Sequence, residues 1–421
     1  MAAGASTVPA DAREQPERLG RNRDFVLLWT GQAVSMLGAR VSSIAYPFLV
    51  LSLGYTAGDA GVVGFVAALP YLLFQLPAGV WVDRVNRKRL MIGCDAARGV
   101  ALASVAVTVA LGAATLVQIA TVAFVEGSMF VIFTAAERSA IANVVESHQL
   151  TAALSMNEAR TRAAGLAGAP LGGFLFALGR AVPFLFDAVS YLASVGTLAL
   201  IKREFQTERK PRRRHFAREV VDGFGWLRRH RFLLDASISV SLGNLVVRAN
   251  QLLIIVLATE EGIGSGVVGL MLATAGFGGV IGSIVAPRVE GRVGPRAVVI
   301  GSALIWAVLF PLFTGNTNPW IFCFAWGGAS FVGAIWNVVV GSYQLSIVPD
   351  DLRGRVASIG GLMAYGAMAL GALLSGVLIS TVGTDGATWT LRVAIVVVAL
   401  ATVADPHIRS SAAWALSAPR A

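Results

Sequence analysis

Residues 76–90 read LPAGVWVDRVNRKRL. Within a few positions the chain passes from an apolar run to Asp83, Arg84, Arg87, Lys88 and Arg89, then returns at once to the oily segment MIGCDAARGVALASVAV. So short and basic a turn between two apolar runs needs a cause. Composition supplies part of it. Hydrophobic residues make up 56% of the chain and charged residues 14%, where a soluble domain carries about a quarter charged. Mean hydropathy is +0.70. The polar residues are clumped, and the apolar stretches between them are about 20 residues long, the length a helix needs to cross a bilayer core. The chain reads as an all-α integral membrane protein.

The formal net charge of +10 sits in short connectors between spans. Lys and Arg beside membrane helices stay on the cytoplasmic side, which accounts for the charge without a nucleic-acid partner. Cys94 and Cys323 fall in apolar spans and read as small core residues, not as a disulfide or metal pair. The polar N-terminal segment, with Arg13, Arg18, Arg21 and Arg23, lacks an apolar core and cleavage site and reads as a cytoplasmic tail, not a signal peptide.

Twelve spans are expected, at 25–53, 59–82, 89–112, 115–137, 152–177, 181–201, 233–258, 265–288, 297–314, 319–341, 356–381 and 387–404. Alternate connectors hold most of the loop Lys and Arg, and only Arg180 breaks the pattern. Both termini are therefore expected in the cytoplasm of a plasma-membrane protein. The expected division is a tail over 1–24, six spans over 25–201, a basic linker over 202–232, six spans over 233–404 and a tail over 405–421. In the linker Phe216, Val220, Val221, Phe224 and Leu227 recur at helical spacing, so its second half reads as an amphipathic helix able to lie on an anionic leaflet.

An internal repeat supports the division. GAPLGG at 168–173 and GALLSG at 371–376 are 203 positions apart; the same offset carries Val145 to Val348 and Gly79 to Gly282. Parallel six-helix repeats of this kind are one way to build a transporter.

The opening stretch resembles the loop 2–3 signature of the major facilitator superfamily, with Gly79, Asp83, Arg84, Arg87 and Lys88 matching and Asn86 standing where the family usually has Gly. The resemblance implies two pseudo-symmetric six-helix bundles and a reversible clasp that latches them in the outward-open state. Gly79 would let span 2 approach a neighbour closely, Asp83 would bond a helix N-terminus of the other half, and Asn86 is the non-Gly residue most tolerant of a left-handed turn. Topology alone would explain the basic residues but not Gly79 and Asp83. Span 5, with Gly165, Gly168, Pro170, Gly172 and Gly173, resembles the glycine-proline signature of exporting branches, with Ala169 intruding; the alternative is ordinary small-residue packing. VPFLFDAVSYLASV and VPDDLRGRVASI resemble the group containing macrolide and siderophore exporters.

Ionisable groups at bilayer depth are expensive and mark function by default. Arg40 lies halfway along span 1, Glu126 halfway along span 4, and Arg248 near the middle of span 7 with Asn244 a turn earlier. The resemblance implies that spans 1, 4, 7 and 10 line the central cavity. Glu126 beside Arg40 would alternately hold a proton or substrate; the alternative is a structural ion pair. Asp95 and Arg98, three apart, read as mutually neutralising, while Glu158 and Asp187 are secondary proton-site candidates. No Gly-x-x-x-x-Gly-Lys-Ser/Thr loop exists, so the chain is expected to carry no nucleotide motor of its own and no nucleotide partner. His148, His215, His230 and His407 lack metal-ligand spacing, and no cofactor is expected. The expectation is a monomeric, non-enzymatic, proton-coupled exporter of amphipathic small molecules. An importing symporter and a non-transporting scaffold or sensor are the alternatives.

Overall fold

A computed structural model describes residues 19–75, 77–82, 84–205, 216–349 and 352–410. Asp83, most of the N-terminal tail, the first part of the basic linker and the end of the C-terminal tail lie outside the described residues. The described chain is helical throughout. The first half comprises α1 (Arg23–Ser52), α2 (Ala57–Phe74), the short α3 (Ala78–Val82), α4 (Arg87–Ala110), α5 (Leu116–Val144), α6 (Leu150–Leu178) and α7 (Val182–Leu200). After α8 (Phe216–Arg229) come α9 (Arg231–Glu260), α10 (Ser265–Glu290), α11 (Pro295–Phe313), α12 (Pro319–Ile347), α13 (Arg353–Ala404) and α14 (Pro406–Ser410).

Ten of these are long and apolar enough to cross a membrane, among the described residues. α13 is two helices run together over Gly383, whose φ of 73° breaks the helical path. α6 is 29 residues long and is kept from that count by its polar first half. Together these make twelve membrane-length helices, as the loop charges imply.

The halves repeat in register. α9, α10 and α11 start 208 positions after α1, α2 and α4, whereas α12 and α13 start 203 positions after α5 and α6. The step arises because α4 has 24 residues and α11 has 19. The uniform offset of 203 therefore fails for the first three spans of each half. Gly79 does not correspond to Gly282, which instead packs on α12, where an added Cβ would stand 2.3 Å from the Phe331 carbonyl oxygen.

Two contacts between the halves follow from this repeat: α2 on α13 and α6 on α10. Both are glycine seams. A Cβ on Gly61 would meet Ala372 O at 2.8 Å and Gly376 Cα at 2.9 Å; one on Gly173 would meet Ser265 O at 2.2 Å and Gly269 Cα at 3.1 Å. At the offsets above, Gly61 matches Gly269 and Gly376 matches Gly173, so one contact is the counterpart of the other. Backbones this close require residues without side chains.

The opening stretch ends span 2 early and in two pieces, α2 and α3. Asn86 does not adopt a left-handed turn. It is extended, with φ −66° and ψ 111°, and its side chain caps α4 by accepting from Arg89 N at 3.1 Å. Among the described residues no non-glycine has positive φ. An exposed N-terminal donor found its acceptor in the Asn side chain, which outweighed its turn tolerance. In α8, Leu227 is buried with Phe232, Val356 and Ile359, while Phe224 is exposed. Part of the linker helix thus packs on α9 and α13.

Candidate functional site

A cavity of about 1480 Å³ lies between the halves. It runs from Ala60, Ala123 and Ala372, near the glycine seams, to Gln75, Gly79, Arg138, Glu158 and Arg355 at the helix ends joined by basic loops. Its walls come from α1, α2, α5, α6, α9 and the first part of α13. α12, the tenth span, contributes no lining residue, contrary to expectation. It is instead drawn against α10, where a Cβ on Gly278 would stand 1.9 Å from the Gly327 carbonyl oxygen and Trp326 Nε1 donates to Leu272 O at 3.3 Å.

Arg40, Glu126, Glu158 and Arg248 line this cavity; Asn244 does not. One turn beyond Arg248, Gln251 takes the lining position and accepts a hydrogen bond from the Arg248 guanidinium. Arg40 and Glu126 are not partners. Glu126 accepts instead from the Tyr46 hydroxyl at 3.0 Å, and its guanidinium neighbour is Arg98 of α4. Glu158 is exposed and pairs with Arg162 at 2.9 Å, one turn along the same helix.

Behind the Glu126 wall lies a buried cluster. Arg98 NH1 is 3.3 Å from Asp95 Oδ1, and both side chains are almost wholly enclosed. Asp95 Oδ2 accepts from Ser194 at 2.5 Å, and Ser194 in turn accepts from Gln32 at 2.7 Å. The Arg98 guanidinium lies 4.0 Å from the Tyr191 ring centroid, a cation–π placement, and within electrostatic reach of Glu126 and Asp187. Asp187 is fully buried, accepts from Ser190 at 3.1 Å through Oδ1, and its Oδ2 has no hydrogen-bond partner among the described residues. Gly38 of α1 makes room for it, since a Cβ there would stand 2.4 Å from Asp187 Oδ1. One guanidinium thus bonds Asp95 and lies within electrostatic reach of two further carboxyls. A second buried pair, Arg160 NH2 to Glu137 Oε1 at 2.7 Å, ties α6 to α5 nearer the basic loops.

The span 5 glycines divide their work. Gly168 seats Arg40: a Cβ on it would lie 2.3 Å from Arg40 Cβ. A Cβ on Gly172 would stand 2.9 Å from Val41 O and Gly173 forms the seam, whereas a Cβ on Gly165 would meet nothing within 4 Å among the described residues. Pro170 is carried inside α6, beside Gly269. In the loop 2–3 motif, Gly79 is exposed, and among the described residues a Cβ added to it would meet nothing within 4 Å. Arg84 is exposed. Arg87 is buried and donates to Phe205 O at 3.3 Å, and Lys88 donates to Ile201 O at 2.6 Å. Both fasten the loop within the first half.

Tyr46, Arg98 as the partner of Glu126, and the Glu137–Arg160 pair were not identified from the chain. The only signals were spacings: Asp95 to Arg98 as one helical face, and Glu126 to Glu137 as three turns of a helix longer than expected.

Twelve membrane-length helices in two repeated halves around a central cavity define a transporter of the major facilitator superfamily. The chain belongs within it to the transmembrane secretion effector family, matched over residues 20–416. It is 25% identical over 413 residues to the multidrug efflux pump Tap of Mycobacterium tuberculosis, covering 92% of this chain and 94% of that one. It is 35% identical over 71 residues to macrolide efflux protein A of Streptococcus pyogenes, a match spanning 17% of this chain and 18% of that protein. Among solved structures, the nucleoside transporter NupG superimposes with a TM-score of 0.72 at 12% identity, over 92% of this chain and 99% of that one; this likeness concerns the fold alone.

Proposed function

We propose that this protein exports amphipathic small molecules across the plasma membrane by alternating access, exchanging them for protons, with both termini in the cytoplasm. The carrying observation is the double position of Glu126, which lines the cavity and also borders the Arg98 cluster. With every carboxyl ionised, Asp95, Glu126 and Asp187 would leave two negative charges uncompensated by Arg98, away from water, at a cost of several kcal/mol. Protons entering through Glu126 relieve that imbalance. Their departure restores it, and the helices that seat Asp187 against α1 feel the change. The efflux names of the relatives favour outward transport of cargo.

With the basic loops in the cytoplasm, the cavity mouth faces the cell interior and the glycine seams close the outer side. Gly79 of the loop 2–3 motif borders that mouth and would meet a neighbour when the mouth closes.

Everted vesicles with an acidified lumen test the proposal. Wild-type protein should accumulate substrate and discharge the proton gradient as it does so. Glu126→Gln should lose gradient-driven accumulation while retaining gradient-independent exchange of labelled for unlabelled substrate. Equal gradient-driven accumulation by the two proteins would falsify the role given to Glu126.

A further inference from the structure

Two arginines at bilayer depth, Arg40 and Arg248, line the cavity beside the carboxyls Glu126 and Glu158. Both carboxylates are engaged already, Glu158 by Arg162 and Glu126 by the Tyr46 hydroxyl. The guanidinium of Arg40 has no hydrogen-bond or ion-pair partner among the described residues, and that of Arg248 donates only to the neutral amide of Gln251. These two arginines come from opposite halves, stand at matching places 208 positions apart, and lie close enough to repel one another.

Two guanidinium groups converging at bilayer depth without a carboxylate cost free energy. α6 is nevertheless cut back to glycine at Gly168 to seat the stem of Arg40. Among the described residues no carboxylate pairs with either arginine, and Glu126 of the same cavity wall is turned to Tyr46 and Arg98. The same cavity wall carries Tyr71 and Tyr365, stacked across the two halves at 4.7 Å between ring centroids. The guanidinium fork matches a carboxylate in geometry, and aromatic walls match an apolar, planar body. The volume of about 1480 Å³ exceeds the roughly 300–1,000 Å³ of ordinary ligand sites.

We infer that the cavity selects amphipathic organic anions, with a carboxylate head taken between Arg40 and Arg248 and a ring body against Tyr71 and Tyr365. This deepens the proposed export function, but binding and transport can be read separately. Equilibrium dialysis of the purified protein against naphthoate, naphthamide and naphthylmethylamine compares one ring bearing a negative, neutral or positive head. Naphthoate should bind tighter than the other two by about tenfold or more. Arg40→Gln and Arg248→Gln, on different helices, should each remove most of that margin. Equal or tighter binding of naphthylmethylamine by the wild-type protein overturns the inference whatever the variants do. In everted vesicles, acid-driven accumulation of naphthylmethylamine in preference to naphthoate also overturns it and leaves proton-coupled export standing. Arginine-dependent naphthoate binding without gradient-driven movement does the reverse: the anion site stands and the export proposal falls.

Discussion

At the spacings that relate the two halves, Asp95, Arg98 and Glu126 correspond to Ala303, Trp306 and Ala329. Where Arg98 faces Glu126 in the first half, Trp306 Nε1 donates to the carbonyl oxygen of Ala329 at 3.1 Å in the second. The buried Glu137–Arg160 pair corresponds to Val340 and Met363, which belong to an apolar cluster. One helical plan therefore closes equally well on charges or on hydrocarbon. Because the second half packs without ionisable groups at these places, those of the first are not demanded by the fold. Arg40 and Arg248, in contrast, occupy matching places in both halves and face the space between them. The charges buried beside the cavity belong to the first half; the matching guanidinium groups belong to both.

The most severe way to break the comparison is to give the first half the apolar character of the second at one position only. Arg98→Leu strands three carboxyls, and the protein should lose about 3–5 kcal/mol of stability, read as a lowered thermal midpoint in detergent. Adding Asp95→Asn and Glu126→Gln should recover part of the loss. Failure of the single change to destabilise would show that the cluster is not electrostatically coupled.

A sharper version exchanges a whole pair. Glu137→Gln alone leaves Arg160 buried without its partner and should cost about 3–5 kcal/mol. The double change Glu137→Val with Arg160→Met copies the second half and should be neutral, or stabilising by about 1–4 kcal/mol. A double variant as unstable as the single one would mean that the halves do not pack equivalently there.

The glycine seams probe the symmetry itself. Gly173→Ala and its counterpart Gly376→Ala should each cost about 1–3 kcal/mol through overpacking, with effects of similar size. Gly243, where nothing lies within 4 Å of an added Cβ, should tolerate alanine. The smallest effect is expected at Glu158→Gln, whose exposed pairing with Arg162 is worth no more than about 1 kcal/mol. Stability and proton-coupled transport should both be nearly unchanged, in contrast to the buried carboxyls.

The helical plan was legible because it rests on quantities summed over many residues: apolar run length and alternating loop charge. Local detail was less so. Glu137 reads as a loop residue because Glu137, Arg138 and Ser139 form a polar knot, yet α5 continues to Val144 and buries Glu137 against a helix still to come. Glu126 was visible as a charge within an apolar span, but its partner was not, since pairing is set by helix rotation and Arg98 reads as already neutralised by Asp95. The repeat was visible in its second part only, because the longer α4 shifts the register of everything before it. Asn86 shows a competition between two local preferences that composition cannot rank; the free donors at the start of α4 decided it.

The closed end of the molecule is held by Gly61 against Gly376 and Gly173 against Gly269, bare main chain on bare main chain. A seam of that kind leaves little room for a thread of water, and the Ser265 hydroxyl in it is already committed to Gly173 O at 2.9 Å. Its watertightness depends on steric fit at four positions, none of which lines the cavity. Under the proposed export function, a side chain added at any of them should register as leakage before any change in what the protein recognises.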